Sequence, residues 1–539
     1  MEPQHLADHF SAVVARHGSR PAFTCLGRTL TYAQWEERGE RLARFFHHRF
    51  GLRAGDRIAL ALPNLLHYPV AALAAIKAGL VLVNTNPLYT ERELRHQLAD
   101  AEVRAVVGIR GLSRHLARVA PELGIDRVLL AEVGDLHGFW RRWAINGWMR
   151  LRDGAVPPIP GAVSWREALR GALPPLPAPP RDPSLALLQY TGGTTGLAKG
   201  AMLSHHNLLA NLRQVRAVLG GALREGEELL VMPLPLYHIF AFMVTLLVGT
   251  AAGAHTLLIP DPRDRRALVK ALRGRRFTVF VGLNTLFAAL CEEPSFRRLD
   301  FSRLHLTISG GMPLIPETAR RWQEVTGCPV VEGYGLTETS PVVALNPPER
   351  PKLGTVGPPL PDTECRLVDG EGGDRDRGPG ELLVRGPQVM QGYWRKPEET
   401  ARVLDEAGWL RTGDVAVRDE DGYLKIVDRA KDMILVSGFN VYPSEVEEVI
   451  SRHPDVVECA AVGVPDRHTG EAVVLYVVRR NPALTAAALQ EFARRELAAY
   501  KVPRRIEFVP ELPKSPVGKV LRRALREGAS PSQREAQPR

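Results

Sequence analysis

At 539 residues the chain is too long for one hydrophobic core, and its length corresponds to roughly three or four domain-sized units. A content of 45% hydrophobic and 24% charged residues is that of a soluble globular protein, and five scattered cysteines (Cys25, Cys291, Cys328, Cys365, Cys459) with no Cys-x-x-Cys spacing argue against a zinc site or disulfide framework and suit a reducing cytoplasm. The net charge of +10 and pI near 9.5 suit an anionic partner, yet the arginines are dispersed and no helix-turn-helix, zinc-finger or RNA-binding signature accompanies them, so nucleic acid is not the expected partner.

The N-terminal residues lack the basic start and apolar run of a secretory signal. The first 130 residues alternate helical and extended patterns. An Ala-rich helix is predicted over Val70–Ala78, a strand over Leu80–Val83, and a helix opened by the capping box Thr90-Glu-Arg-Glu93. The segment Phe139-Trp-Arg-Arg-Trp-Ala-Ile-Asn-Gly-Trp-Met-Arg150 interleaves tryptophans with arginines. That composition suits a membrane surface, with packing against the protein body as the competing reading.

Residues 171–184 carry six prolines and read as an extended connection. From Leu229 to Pro260 there is no Asp, Glu, Lys or Arg, but Pro233, Pro235, His238 and His255 divide the run, which reads as strand (Leu229–Met232), buried helix (Phe240–Thr250) and strand (Thr256–Ile259) rather than a membrane span. Short β-like runs between Gly and Pro turns fill Gly354–Val427. Beyond Asp428 the pattern becomes α+β: a capping box Ser444-Glu-Val-Glu447, strands over Cys459–Val464 and Ala472–Val478, and a helix over Ala486–Leu497. Residues 528–539 are polar and are expected to be a disordered tail. The fold class is therefore α/β plus α+β: a large N-terminal domain (1–427) of two α/β subdomains and a small β subdomain (about 354–427), then a smaller, mobile α+β C-terminal domain (428–527).

Tyr190-Thr-Gly-Gly-Thr-Thr-Gly-Leu-Ala-Lys199-Gly200 follows the apolar run Leu185-Ala-Leu-Leu. Glycines at 192, 193 and 196 let the backbone turn and aim N–H groups at an anion, while Thr191, Thr194, Thr195 and Lys199 supply hydroxyls and charge. Ala198 precedes Lys199 and no Ser/Thr follows it, so this is a phosphate cradle but not a Walker A loop. Lysine is scarce beside arginine in this chain, so its presence here points to a compact charge.

Further motifs follow in order: Ser309-Gly-Gly-Met-Pro313, Gly333-Tyr-Gly-Leu-Thr-Glu-Thr339, Trp409-Leu-Arg-Thr-Gly-Asp414, Asp428-Arg-Ala-Lys-Asp-Met-Ile434, Ser437-Gly-Phe-Asn440 and Pro513-Lys-Ser-Pro-Val-Gly-Lys519. Each alone reads as a structural turn. Together, in this order and from about Leu30 to Arg523, they resemble the adenylate-forming superfamily. Asn84-Thr-Asn-Pro-Leu-Tyr89, Tyr237-His-Ile-Phe240 and Asp432–Pro443 are similar to the bacterial long-chain fatty acid:CoA ligases within it.

The resemblance implies a two-step reaction: ATP and a carboxylate give acyl-AMP and pyrophosphate, and CoA then displaces AMP. A carboxylate approaching the α-phosphate meets repulsion of about 1 to 4 kcal/mol for each charge pair at about 4 Å, so cations must offset it. By motif, Lys519 stabilises the developing charge, Glu338 holds Mg²⁺ and Thr337 contacts the α-phosphate. Tyr334 stacks on adenine beside Gly335, Gly310 and Gly311 admit the base, and Asp414 with Arg429 takes the ribose hydroxyls. A surface ion pair of Arg429 with Asp428 or Asp432 is the competing reading. The cradle 191–199 clamps the outer phosphates, His238 and Phe242 line the acyl pocket, Asp428 is the hinge and Gly438 faces the CoA tunnel. Between Lys501 and Glu527, eight basic residues stand against three acidic ones, and these fit either CoA phosphates or a solvated face.

The cysteine usage points to the cytoplasm and the Trp/Arg segment to peripheral contact at the inner membrane face, while the resemblance implies a homodimer. A medium-chain or aryl acid:CoA ligase is the nearest alternative. An oxidative luciferase, an adenylation module serving a carrier domain, or a non-catalytic adenylate-binding protein are the others.

Overall fold

The computed structural model describes residues 3–154, 156–177, 185–191, 198–369, 372–375, 378–515 and 519–529. Two large sheets organise the first two thirds of the chain. In the eight-stranded sheet the order is Val342–Leu345, Val330–Gly335, Leu306–Ser309, Val279–Gly282, Leu229–Met232, His255–Leu258, Pro21–Cys25 and Arg28–Thr31. Its outermost pairs are antiparallel and the strands between them parallel. The seven-stranded sheet runs Val163–Ser164, Arg127–Ala131, Ala105–Ile109, Arg57–Ala61, Val81–Asn84, Leu187–Thr191 and Lys199–Leu203, parallel except for its last pair.

Helix His67–Lys77 packs into the core shared by the sheets and is buried from His67 to Ile76, as expected of a helix apolar on all sides. A chain of buried side chains also ties the sheets together. Tyr68 donates to Asn84 Oδ1 (2.6 Å), the Asn84 amide to Gln189 (3.0 Å) and the Gln189 amide to the Tyr237 carbonyl (3.0 Å). Gln97 caps the Asn84 carbonyl at 2.9 Å. The motifs at Asn84 and Tyr237 therefore meet in space, the Asn84 and Gln189 amides each donating to the next acceptor in the chain.

A four-stranded antiparallel sheet (Glu364–Val368, Gly380–Arg385, Leu410–Arg418, Leu424–Arg429) docks on both. Gly357 bridges Leu424, and Ala201 bridges Tyr393. The last part of the chain has its own sheet, Phe439–Val441, Ile434–Val436, Gly470–Arg479 and Val456–Asp466, with Arg505–Phe508 parallel to Gly470–Arg479. Helices Pro443–Ser451 and Ala486–Arg494 bury Val446, Ile450, Leu489 and Ala493 on one face of it, and helix Arg522–Ala529 buries Leu525 on the other. Mixed α/β layers followed by a separate α+β unit match the expected fold class.

Several local expectations are corrected. The capping box at Thr90 forms, with both reciprocal bonds, but Ser444 is not a cap. Pro443 takes the first helical position, and the Ser444 hydroxyl turns to Asp428 instead. The uncharged helix is a short α-helix, Ile239–Phe242, continuing as a π-helix over Met243–Gly249. Gly528 and Ala529 belong to the last helix rather than to a tail, and residues 530–539 lie outside the described residues. No helix among the described residues is long and apolar enough to cross a membrane.

Candidate active site

Ser309, Thr191 and Gly335 end three strands at one side of the two large sheets, and all three line one cavity of about 2410 Å³. Parallel α/β sheets characteristically bind ligands beyond the carboxyl ends of their strands. A volume well above the roughly 300–1,000 Å³ of a single-ligand pocket leaves room for more than one substrate.

Gly310 and Gly311 follow strand Leu306–Ser309. A Cβ on Gly310 would stand 3.1 Å from the Phe240 ring, and Gly311 adopts φ +82°, so both positions require glycine. Gly335 packs so closely that a Cβ would strike the Pro341 carbonyl oxygen, which gives that residue a packing reason independent of any ligand.

Tyr334, on strand Val330–Gly335, donates its hydroxyl to Asp414 Oδ2 at 2.6 Å. Asp414 is buried on strand Leu410–Arg418, directly opposite Arg429, whose Nε lies 3.2 Å from Asp414 Oδ1. The three side chains thus stand together in one hydrogen-bonded and ionic group, and the Arg429 guanidinium pairs with Asp414 rather than with Asp428 or Asp432. Burial raises the Asp414 pKa, against the pull of Arg429 and the Tyr334 bond. Burial and the Asp414 charge hold the Tyr334 hydroxyl well above its ordinary value.

Thr337 and Glu338 sit on a 3₁₀ turn at the cavity wall. The Tyr393 hydroxyl donates to Glu338 Oε1 at 2.7 Å. Lys199 stands 5.1 Å from the centre of the same Tyr393 ring and pairs with Glu399. Thr191 faces Lys199 across the antiparallel pair, so both feet of the glycine-rich segment are fixed; Gly192, Gly193, Thr194, Thr195 and Gly196 lie outside the described residues.

Lys519 comes from the far end of the chain, yet its Cε is 3.9 Å from where a Gly311 Cβ would stand. Burial pushes its amine down to about 8, with Arg429 adding repulsion and Asp414 and Glu338 opposing the shift. His238 faces it, and burial followed by the Lys519 charge pushes that imidazole down to about 3.

Part of the cavity lining is apolar. Val215 and Leu219, one turn apart on helix His205–Leu219, face the cavity, as do Val244 and Val248 of the π-helix. His238 lines the cavity, whereas Phe242 is fully buried and does not. The turn that brings Val244 and Val248 to the cavity leaves Phe242 in the core. Gly438, with φ +83° in the turn between Ile434–Val436 and Phe439–Val441, is also absent from the cavity lining. Lys519, not the Gly438 turn, occupies the site in this arrangement.

Asp428 is expected in a short polar segment between domains, but it lies buried near the end of strand Leu424–Arg429. Its Oδ2 accepts from the Ser444 N–H and hydroxyl, both at 2.9 Å, and its Oδ1 from the Arg429 N–H at 2.8 Å. Arg522 stands 3.8 Å from Asp428 and forks both Glu447 oxygens at 2.8 Å. Arg522 also approaches Asp432 at 3.9 Å. Burial works against the Arg522 charge, yet Glu447, Asp428 and Asp432 together raise its pKa.

A large cavity with both charged and apolar lining, at the carboxyl ends of parallel strands, is where an α/β protein binds ligands. A family model described as "AMP-binding enzyme" matches residues 10–394, and one described as "AMP-binding enzyme C-terminal domain" matches residues 445–519. The chain belongs to the AMP-binding enzyme family. It is 48% identical over 532 residues to a long-chain-fatty-acid–CoA ligase of Escherichia coli O157:H7, covering 98% of this chain and 95% of that one. It is also 48% identical over 534 residues to the protein of that name from Salmonella typhimurium, with the same coverage. Among solved structures, ATP-bound MatB from Rhodopseudomonas palustris is similar, with 31% identity and a TM-score of 0.81, covering 98% of this chain and 99% of that chain.

Replacing Arg522 by alanine leaves three carboxylates facing one another without their shared cation. We expect a loss of up to about 3 kcal/mol in the stability of the C-terminal unit, read by urea unfolding. An unchanged urea midpoint would contradict the role assigned to this arginine.

Proposed function

We infer that this protein is an ATP-dependent long-chain fatty acid:CoA ligase, forming acyl-AMP and pyrophosphate and then acyl-CoA and AMP. The observation that carries the reading is the convergence of Lys519 with Asp414, Tyr334 and Glu338 in a cavity that is also lined by the apolar Val215, Leu219, Val244 and Val248. The near full-length likeness to ligases of that name supports it.

In this reading Thr191, Lys199 and the glycine-rich segment hold the outer phosphates. Tyr334 lies against adenine, with Gly310, Gly311 and Gly335 admitting the nucleotide, and Asp414 with Arg429 receives the ribose hydroxyls. The acid lies with its tail along Val215, Leu219, Val244 and Val248 and its carboxylate towards His238. The Lys519 ammonium lies where negative charge concentrates as the carboxylate oxygen attacks the α-phosphorus, and Thr337 donates to the same phosphate. Glu338 fits Mg²⁺: it faces the cavity and Tyr393 orients one of its oxygens, in keeping with an ion that takes few protein ligands and completes its shell with phosphates and water. When bound there, Mg²⁺ supplies charge neutralisation on the phosphates.

Asp428 serves as the hinge between a domain of residues 1–427 and one of residues 428–527, and rotation about it withdraws Lys519 and presents Gly438 for the thioester step. Long-chain acids partition into bilayers, so peripheral contact with a membrane surface belongs to the same reading.

Two measurements test this. Pyrophosphate release with ATP is expected to be faster with palmitate than with octanoate or benzoate, and to depend on magnesium. Preference for octanoate or benzoate would replace the reading with a medium-chain or aryl acid ligase. Lys519 with a pKa of about 8 is protonated below that pH and neutral above it. The kcat/KM for acyl-AMP formation should therefore fall as pH rises through about 8, since that parameter reports free-enzyme ionisations. A flat profile to pH 10 would contradict the charge role.

A further inference from the structure

Helix Phe139–Asp153 turns its largest apolar side chains away from the protein. The side it turns to the body carries polar anchors beside the half-buried Ile145 and Met149. Asn146, its buried residue, accepts from the Gly134 N–H at 2.7 Å and donates to Glu132 at 3.1 Å. Arg150 forks the same Glu132 at 2.9 and 3.0 Å, and Arg114 donates to the Asp153 carbonyl. The side it turns to solvent is apolar: Trp140 is 78% exposed, Trp143 73%, Trp148 59% and Leu151 86%. At the helical repeat of about 100° per residue these four fall within one outward arc, with Ala144 and Gly147 between them, and Arg141 and Arg152 border one edge.

Folding alone does not account for this arrangement, because exposing three indoles in a row gains nothing from burial. The competing expectation, that the tryptophans pack on the body, is not what forms. We propose that the outward face of helix Phe139–Asp153 is a docking surface for an anionic lipid bilayer. Charge and side-chain chemistry select that occupant. Helix Phe139–Asp153 carries four arginines against one acidic residue; Asp153 pairs with Arg152 and Glu132 with Arg150, and Arg141 and Arg142 complete a net positive helix that suits a negatively charged surface. Indoles place an apolar ring and an N–H donor together and settle at the headgroup boundary. Arg152 lies over the Trp148 ring at 5.2 Å, so that cation is held beside an indole of the outward face. The polar anchoring side fixes the helix to the protein, so the apolar face meets the membrane without rearrangement. The proposal rests on the long-chain acid reading for its purpose, delivery of a bilayer-partitioned substrate, while the surface is defined by the helix alone.

The test is co-sedimentation of the full chain with phosphatidylcholine vesicles, with and without phosphatidylglycerol, alongside tryptophan emission. The wild type is expected to sediment with the phosphatidylglycerol vesicles and to shift its emission to the blue. Trp140→Ser/Trp143→Ser/Trp148→Ser, and separately Leu151→Asp at a position too exposed to endanger folding, should each lower the partition coefficient about tenfold or more. Arg141→Gln/Arg152→Gln should lose the preference for phosphatidylglycerol. Unchanged sedimentation of Leu151→Asp would overturn the proposal. So would a wild type that ignores vesicles but forms a dimer that Leu151→Asp dissociates, which would assign the face to a second copy of the chain. Thioester formation from albumin-delivered palmitate separates the two readings: its retention with unchanged vesicle binding defeats the docking surface alone, and its absence in the wild type with intact vesicle binding defeats the ligase reading alone.

Discussion

A lysine ammonium removed from water must be answered by carboxylates or surrender its proton, and Lys519 is held between these outcomes. Burial and Arg429 push its pKa down to about 8, and Asp414 and Glu338 keep it from falling further. Each of those carboxylates is fixed in turn by a tyrosine hydroxyl, Tyr334 on Asp414 and Tyr393 on Glu338. The amine therefore faces a rigid set of charges contributed by the eight-stranded sheet, the antiparallel sheet and the end of the chain. Such a site is prepared to receive an anion, because an incoming negative charge restores what burial withdrew.

That arrangement depends on where the C-terminal unit is held. Asp428 accepts from Ser444 and from the Arg429 N–H while Arg522 gathers Asp428, Glu447 and Asp432. The strand that carries Arg429 to Asp414 is thus continuous with the network that seats helix Pro443–Ser451. A rotation at Asp428 would have to exchange these bonds for others, which links the position of Lys519 to a small set of charged contacts along the same cavity.

The parts of the site legible in the sequence are those carried by ordered motifs. The motifs of Gly310 and Gly311, Tyr334, Asp414 and Arg429 each read alone as a turn, and only their order and the family they resemble mark them as one site. Contacts made across the chain leave no such mark. Nothing near Tyr393 indicates that its hydroxyl reaches Glu338, and Arg522 reads as one more arginine in a basic segment. Ser444 looks like a helix cap because its spacing to Glu447 is right, yet Pro443 occupies the first helical position and the hydroxyl serves Asp428. Phe242 was the natural choice for an apolar pocket, but the π-helical turn that follows turns the smaller Val244 and Val248 to the cavity and leaves the aromatic in the core. The α/β and α+β division was legible because strand and helix periods alternate cleanly. The outward tryptophans were visible only as composition until the helix showed which side is anchored.

The central claim is that Lys519 serves the first half-reaction and not the second. It is tested most directly by Lys519→Ala, assayed separately for acyl-AMP formation from ATP and palmitate and for thioester formation from supplied palmitoyl-AMP and CoA. The account predicts that the first is lost and the second is largely retained. Equal loss of both, or an unchanged first step, would contradict it.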